Sequence, residues 1–288
     1  MKSIVFGAGG YLGKHLVHAL RASGSEVRIP ATADGNRIDL TEPASLQAMD
    51  WDVDAVFLLA GVTGTIDSFI QYEKSLFGNN LILLNILDSI RKSEFRPRLI
   101  FPSSRLVYGG AEAPLTESAE KQTKTLYAAN KLACENYLHA YSAAFDLPYT
   151  ILRICVPYAN SLNREYSFGT IGSFIKQIKQ SGRIRLYGGG HVRRTFTHVG
   201  DVCRLTMLAA QHPMMLNATF NMPGEDMSLF EAATLIAKRM GGAAIDGADW
   251  PAQEWRIESG STVFDGSSLL ETLHTALSFN FKEWADTV

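Results

Sequence analysis

The stretch Leu126-Tyr127-Ala128-Ala129-Asn130-Lys131 holds a tyrosine and a lysine four residues apart. That spacing sets both on one face of a helix, one turn from each other. Neither group does chemistry unaided at neutral pH, because tyrosine titrates near ~10 and lysine near ~10.4. Side by side they can, since an ammonium favours a phenolate and pulls the tyrosine pKa down. A tyrosine tuned in this way gives a proton to, or takes one from, an alcohol or carbonyl oxygen. The same spacing also suits a packed tyrosine with a lysine snorkelling beside it. The surrounding elements decide between the two readings.

The chain begins with the apolar run Lys2-Ser3-Ile4-Val5-Phe6, which reads as a buried strand. It enters Gly7-Ala8-Gly9-Gly10-Tyr11-Leu12-Gly13, and a helical pattern follows to Gly24. Strand, glycine-rich turn and helix together form a site where backbone N–H groups can meet a pyrophosphate. The second strand, Glu26-Val27-Arg28-Ile29, lacks the ribose-binding carboxylate usual at its end in NAD binders. Pro30-Ala31-Thr32 follow, with Asp34 only later. Arg28 and Arg37 could meet a 2′-phosphate, which favours NADP(H) over NAD. Asp39-Leu40 comes next, then a short helix over Ala44 to Met49.

Asp54 to Gly61 reads as a strand ending in small residues that let a cofactor pass. A long helix is expected from about Ser68 to Lys92, bent near Gly78, with Asn79 and Asn85 among apolar residues. Arg98 to Phe101 is a further strand, followed by Pro102-Ser103-Ser104-Arg105-Leu106-Val107-Tyr108-Gly109. The helix bearing Tyr127 and Lys131 runs to about Phe145, and Pro148 to Val156 is another buried strand. This alternation predicts an α/β fold, a doubly wound parallel sheet of the Rossmann type, with ligands beyond the carboxyl ends of its strands.

After Val156 the alternation weakens. Helices are expected over Ser167 to Gln180, Asp201 to Ala210 and Leu229 to Met240. Strands are expected over Ile184 to Tyr187, His191 to Val199 and Phe220 to Pro223. The reading is a dinucleotide-binding domain over 1–157, with a return segment at about 195–211, and a smaller substrate-binding lobe over the rest of 158–288.

Composition narrows the class. Of 288 residues 46% are hydrophobic and 19% charged, enough for a sizeable core. A net charge of −2 gives no general attraction to nucleic acid or to an anionic membrane. Cys134, Cys155 and Cys203 are widely spaced, which suggests neither a disulfide framework nor a metal site and fits a cytoplasmic location. No secretion signal or membrane-length apolar run is seen.

In these ordered motifs the sequence resembles the extended short-chain dehydrogenase/reductase family, especially its nucleotide-sugar epimerases, dehydratases and ketoreductases. The resemblance implies NAD(P) held by Gly7, Gly10, Tyr11, Leu12 and Gly13, by Asp39-Leu40 at the adenine, and by Ala60-Gly61 and Asn79. Ser103-Ser104-x-x-Val107-Tyr108-Gly109 matches the strand bearing the catalytic hydroxyl, which places that role on Ser104. Tyr127-x-x-x-Lys131 matches the catalytic pair, Tyr127 as general acid or base and Lys131 holding the nicotinamide ribose. Arg194-Thr195-Phe196-Thr197-His198-Val199-Gly200-Asp201 resembles the segment whose arginine contacts the substrate diphosphate.

Departures from the family pattern bear on the reaction. Val156 stands where an Asn is usual near the phosphates, and Thr195 where an Asp follows the arginine. Sugar 4,6-dehydratases carry an Asp-Glu pair after the catalytic hydroxyl; here those positions are Arg105 and Leu106, which argues against that reaction. The missing acid near Ala31 leans the reading toward a 4-keto-sugar reductase. The alternatives are a 4-epimerase with tightly held NAD, a ketoreductase on a non-nucleotide carbonyl compound, and a non-catalytic dinucleotide-binding sensor or scaffold. A homodimer formed through the two long helices is expected as well.

Overall fold

The computed structural model describes residues 1–32, 35–162 and 168–288. Asp34, and Ser167 as the expected start of a helix, lie outside the described residues. The strands run β1 (Lys2–Phe6), β2 (Glu26–Arg28), β3 (Ala55–Leu58), β4 (Arg98–Ser104) and β5 (Tyr149–Ile154). They continue β6 (Val156–Tyr158), β7 (Arg183–Tyr187), β8 (Arg193–His198), β9 (Ala218–Asn221), β10 (Glu225–Ser228) and β11 (Ala244–Ala248).

The chain divides into two compact units. The first comprises Met1–Val107, Thr123–Arg153 and Cys203–Thr219. Its sheet has the order β2-β1-β3-β4-β5-β9. β1 pairs in parallel with β2 and with β3, and β3 with β4. This is the parallel, Rossmann-like sheet expected from the alternation of elements. The inner strands read as apolar runs because both faces are covered. Ile4, Phe6, Val56, Leu58, Leu99 and Phe101 are all buried in one core.

Four helices of this unit matter for the site: α1 (Tyr11–Ala22), α2 (Asp67–Ile70), α3 (Tyr72–Leu76) and α4 (Ile82–Lys92). The helix expected from about Ser68 to Lys92, interrupted or bent near Gly78, is interrupted at Gln71 (φ −116°, ψ 54°), between α2 and α3, and is irregular at Gly78 as well. Between α3 and α4 the chain makes a π turn over Phe77–Leu81. Within it, a Cβ on Gly78 would lie 2.5 Å from Val62 Cγ2, so a side chain there would push the loop after β3 away. The extra residue of a π turn leaves Asn79 and Asn80 buried. Ile82, Leu83, Ile86, Leu87 and Ile90 then line the buried face of α4 at helical spacing. The expected helix over Ala44 to Met49 is only a 3₁₀ turn, Pro43–Leu46.

α5 (Leu126–Phe145) carries the tyrosine and lysine. Thr125 caps it, its Oγ1 accepting from Ala128 N at 3.1 Å. Asp146, in the left-handed conformation (φ 54°), ends it.

The second unit comprises Tyr108–Gln122, Ile154–Val202 and Phe220–Val288. It holds a three-stranded sheet, β10-β8-β6, and a parallel pair, β11-β7. The strand expected over Pro148 to Val156 ends at Ile154, and the chain resumes at Val156 in a different sheet. α6 (Gly169–Ser181) and α8 (Leu229–Arg239) also belong to this unit, with α7 (Val199–Gln211) between them in sequence. Ser228 and Glu231 form a complete capping box at the start of α8. Among the described residues no helix is long and apolar enough to cross a membrane.

Candidate active site

Within the first unit, β4 ends at Ser104, and α5 brings Tyr127 and Lys131 up beside it. The Tyr127 phenol is hydrogen-bonded to Ser104. Ser104 Oγ also accepts from Leu106 N at 3.2 Å, which fixes its rotamer at the strand end. Lys131 Nζ donates to Pro102 O at 2.8 Å. It lies 4.4 Å from the centre of the Phe101 ring and 5.9 Å from that of Tyr127. Tyr127 N donates to Ser68 Oγ at 3.3 Å, and Asn130 Nδ2 to Ser75 Oγ at 3.0 Å. α5 is thus held against the α2–α3 segment at the level of the pair.

The protonation balance differs from the expectation drawn from spacing alone. Burial pushes the Tyr127 phenol up to about 12; the Ser104 hydrogen bond and the Arg105 charge act against it without reversing it. Burial pulls the Lys131 ammonium down to about 8, opposed by the nearby Cys134 and Glu135. The expected lowering of the tyrosine pKa by its lysine is therefore absent in the ligand-free chain. Desolvation penalises both charged forms and is the largest cause of each shift. One turn beyond Lys131, Glu135 forms a buried pair with Arg153 on β5. Spacing could not report this pair, because its partner lies on another element.

The turn after β1 is closely built. Gly7 has φ +82°, and a Cβ on it would lie 2.3 Å from Ala60 N. A Cβ on Gly13 would lie 2.1 Å from Gly7 O. Gly10, the N-cap of α1, is exposed and has no side-chain cap, so the positive end of the helix is open. Tyr11 and Leu12 begin that helix. A pocket of about 300 Å³ adjoins the turn, with Ile29, Pro30, Ile38 and Leu40 supplying apolar walls and Ala60-Gly61 one side. These features fit the adenosine diphosphate half of a dinucleotide: an uncapped helix end for phosphate and an apolar slot for the base.

The other expected cofactor residues stand as follows. Leu40 lines the pocket, while the Asp39 carboxylate accepts from Thr41 N (2.9 Å) and Oγ1 (2.6 Å) and titrates below the usual carboxylate range for that reason. Asn79 serves the backbone: Nδ2 donates to Val62 O and Ser75 O, and Oδ1 accepts from Val62 N. It thereby fixes the chain just after Ala60-Gly61. Asn85 holds Leu40 O and Thr41 O, both at 3.0 Å. Arg28 pairs at the surface, Nε on Glu26 at 3.1 Å and Nη1 on Asp50 at 2.7 Å, and is not among the residues lining this pocket. Arg37 does line the pocket, and a Cβ on Gly9 would lie 2.5 Å from its Nη2.

Arg194, the expected diphosphate ligand, lies on β8 in the second unit and is buried. Its guanidinium is ion-paired to Glu258, a residue no local motif singled out. Thr195, which replaces the usual Asp, is buried and its Oγ1 accepts from Phe264 N at 2.7 Å.

Residues 3–222 match the model of the NAD dependent epimerase/dehydratase family. The chain is 26% identical over 195 residues to a Bacillus subtilis (strain 168) protein named Uncharacterized UDP-glucose epimerase YtcB, covering 67% of this chain and 60% of that one. It is 26% identical over 241 residues to dTDP-L-rhamnose 4-epimerase of Burkholderia thailandensis, covering 70% and 66%. The chain thus spans somewhat less than two thirds of either relative's length. The solved structure of MoeE5 in complex with UDP-glucose and NAD has a TM-score of 0.83 at 26% identity, covering 100% of this chain and 97% of that one.

Proposed function

Because the chain belongs to the NAD dependent epimerase/dehydratase family, we propose that it is a nucleotide-sugar 4-epimerase that holds NAD through its catalytic cycle. The observation that carries this reading is the Tyr127 phenol hydrogen-bonded to Ser104, with the Lys131 ammonium one helical turn away. NAD, when bound, supplies a hydride acceptor and donor for the sugar carbon. Tyr127 takes the proton of the 4-hydroxyl as that carbon is oxidised and returns it when the other face is reduced. Ser104 orients the reacting oxygen and favours the phenolate by donating to it. Lys131 holds the cofactor ribose and adds positive charge beside the phenol. Gly7, Gly10 and Gly13 give the pyrophosphate access to the start of α1.

The sequence leans toward a 4-keto-sugar reductase because β2 is not followed by a carboxylate. Of the two arginines read as 2′-phosphate partners, Arg28 is engaged by Glu26 and Asp50 and Arg37 lines the pocket. Relatives named as epimerases weigh more. Epimerase and reductase are separated by mass spectrometry of the purified protein and by NMR of a UDP-hexose incubated with it. An epimerase retains about one NAD per chain and interconverts the 4-epimers with no net change in cofactor absorbance. Stoichiometric NAD(P)H consumption with a 4-keto-sugar, and no retained cofactor, would overturn the reading.

We further propose a homodimer. Ile70, Tyr72, Leu76 and Phe77 are exposed on one short stretch, Ile70 at 71% and Tyr72 at 59%, and a second copy of the chain would cover them. Its three free cysteines suit a reducing, cytoplasmic compartment.

A further inference from the structure

Lys131 is the cation that helical spacing pairs with Tyr127, yet its ammonium is directed elsewhere. Nζ donates to Pro102 O at 2.8 Å and lies 5.9 Å from the centre of the tyrosine ring. Burial pulls its pKa down to about 8, so it gives up its proton well before a phenol pushed up to about 12. At the pH where Tyr127 ionises, the ligand-free chain draws positive charge from another residue.

The end of β4 supplies one. Its last residue, Ser104, is hydrogen-bonded to the Tyr127 phenol. Arg105 comes next and opens a 3₁₀ turn, Arg105–Val107, anchored by the buried Val107. Leu106 N donates to Ser104 Oγ at 3.2 Å, so the turn and the serine hold each other in place. The Arg105 side chain is half-buried, and its charge reaches the phenol and opposes the burial that keeps it protonated. A guanidinium keeps its charge throughout the range in which tyrosine and lysine titrate. The other charged or titratable groups on elements packed around α5 act differently. Glu135 is bound to Arg153, and Asp88 on α4 to Arg91 and Lys92. Asp67 on α2 and Glu73 and Lys74 on α3 are exposed. The Cys134 thiol acts on the phenol in the opposite sense to Arg105.

We propose that Arg105 is a positioning residue of the proton transfer: its guanidinium, carried next to Ser104 at the end of β4, is the fixed positive charge against which Tyr127 ionises before it takes the substrate proton. This rests on the reading of Tyr127 as the base of a 4-epimerase. No atom of Arg105 enters the reaction. Tyr127 takes and returns the proton, Ser104 donates a hydrogen bond to the phenolate, and Arg105 sets how much phenolate is present. A unit charge several ångströms from a phenol moves its titration by on the order of one pH unit. Two consecutive residues at one strand end thus prepare the base, one by hydrogen bond and one by charge.

The test is the pH–rate profile for 4-epimerisation of a UDP-hexose by the full chain with its retained cofactor. Arg105→Gln should displace the rising limb by about one unit to higher pH, which is about a tenfold loss of turnover at pH 7 that is recovered as the pH rises. Arg105→Lys, which restores the charge, should return the limb to its wild-type position. Arg105→Met stands in for the amide variant if that does not fold. The same ionisation is read without turnover from the tyrosinate absorbance that each form loses on adding Tyr127→Phe. An unmoved limb in Arg105→Gln, or an Arg105→Lys limb displaced as far, overturns the proposal while the epimerase reading stands. If no form turns over a UDP-hexose, the epimerase reading falls and the tyrosinate titration decides. The proposal then falls if Tyr127 ionises at the same pH with and without the guanidinium, or in neither form.

Discussion

Arg153 grips both carboxylate oxygens of Glu135, Nε on Oε1 at 3.0 Å and Nη2 on Oε2 at 2.6 Å, one helical turn beyond Lys131. Both side chains are almost wholly enclosed, at 5% and 1% exposure. The pair ties α5 to β5 at the level of the candidate site, and its carboxylate is one of the groups that raise the Lys131 pKa against burial. Glu135→Gln leaves a buried guanidinium without its counter-charge, which costs about 3–5 kcal/mol. Urea unfolding should show that loss, and NMR titration of Lys131 should show its pKa falling below the wild-type value.

Tyr127→Phe should reduce turnover by a factor on the order of 10²–10⁴ while leaving retained NAD at wild-type occupancy. Ser104→Ala acts on the same proton from the other side. Its hydrogen bond opposes the upward shift of the phenol, so removing it raises the Tyr127 pKa further. If Tyr127 is the base, the rising limb of the pH–rate profile moves to higher pH in Ser104→Ala. An unmoved limb would take Tyr127 out of the proton transfer.

The folded-state pKa of Lys131 lies near 8, below its value of 10.5 when unfolded. Below pH 8 both states are protonated and the fold carries the whole cost of burying an ammonium, on the order of 3 kcal/mol. Between pH 8 and 10.5 the folded state releases the proton while the unfolded state keeps it, so the cost is relieved as pH rises. Lys131→Met should therefore stabilise the ligand-free chain most at pH 7. Thermal melts should show the difference narrowing as the pH climbs through that window.

Gly10 and Gly13 are predicted to behave differently although they share one motif. A Cβ on Gly13 meets Gly7 O at 2.1 Å, whereas one on Gly10 meets the same oxygen at 3.4 Å. Gly13→Ala should lose stability and cofactor together, because the turn must shift. Gly10→Ala should fold within about 0.5 kcal/mol of the wild type, as surface substitutions do. It should still retain less NAD, since the added methyl lies at the open end of α1. Melting temperature and retained cofactor, measured side by side, separate the two cases.

The parallel sheet is legible in the sequence because buried central strands appear as unbroken apolar runs punctuated by glycine. The Tyr127–Lys131 face follows from helical spacing, and Ser104 from its place at a strand end. Three features are hidden from such patterns. The upward shift of Tyr127 depends on the desolvation of its phenol by surrounding elements, which no local spacing encodes. Glu258 stands 64 residues from Arg194, so its charge reads as an ordinary surface glutamate until the loop returns along β8. The interruption of the long helix at Gln71 (φ −116°, ψ 54°) has no glycine or proline to announce it.

The π turn also bears on insertions and deletions. A π turn holds one more residue than the α-helical turn it replaces, so losing Gly78 would turn the segment Phe77–Leu81 into an ordinary α-helical turn. Everything on one side of the deletion would rotate by about 100° relative to the other, and the Asn79 amide would leave Val62. The core-facing residues of α4 would turn out of register, and the chain beyond β3 would lose its hold beside the nucleotide pocket. The irregular turn is what carries the Asn79 amide to the backbone of Val62, next to Ala60-Gly61.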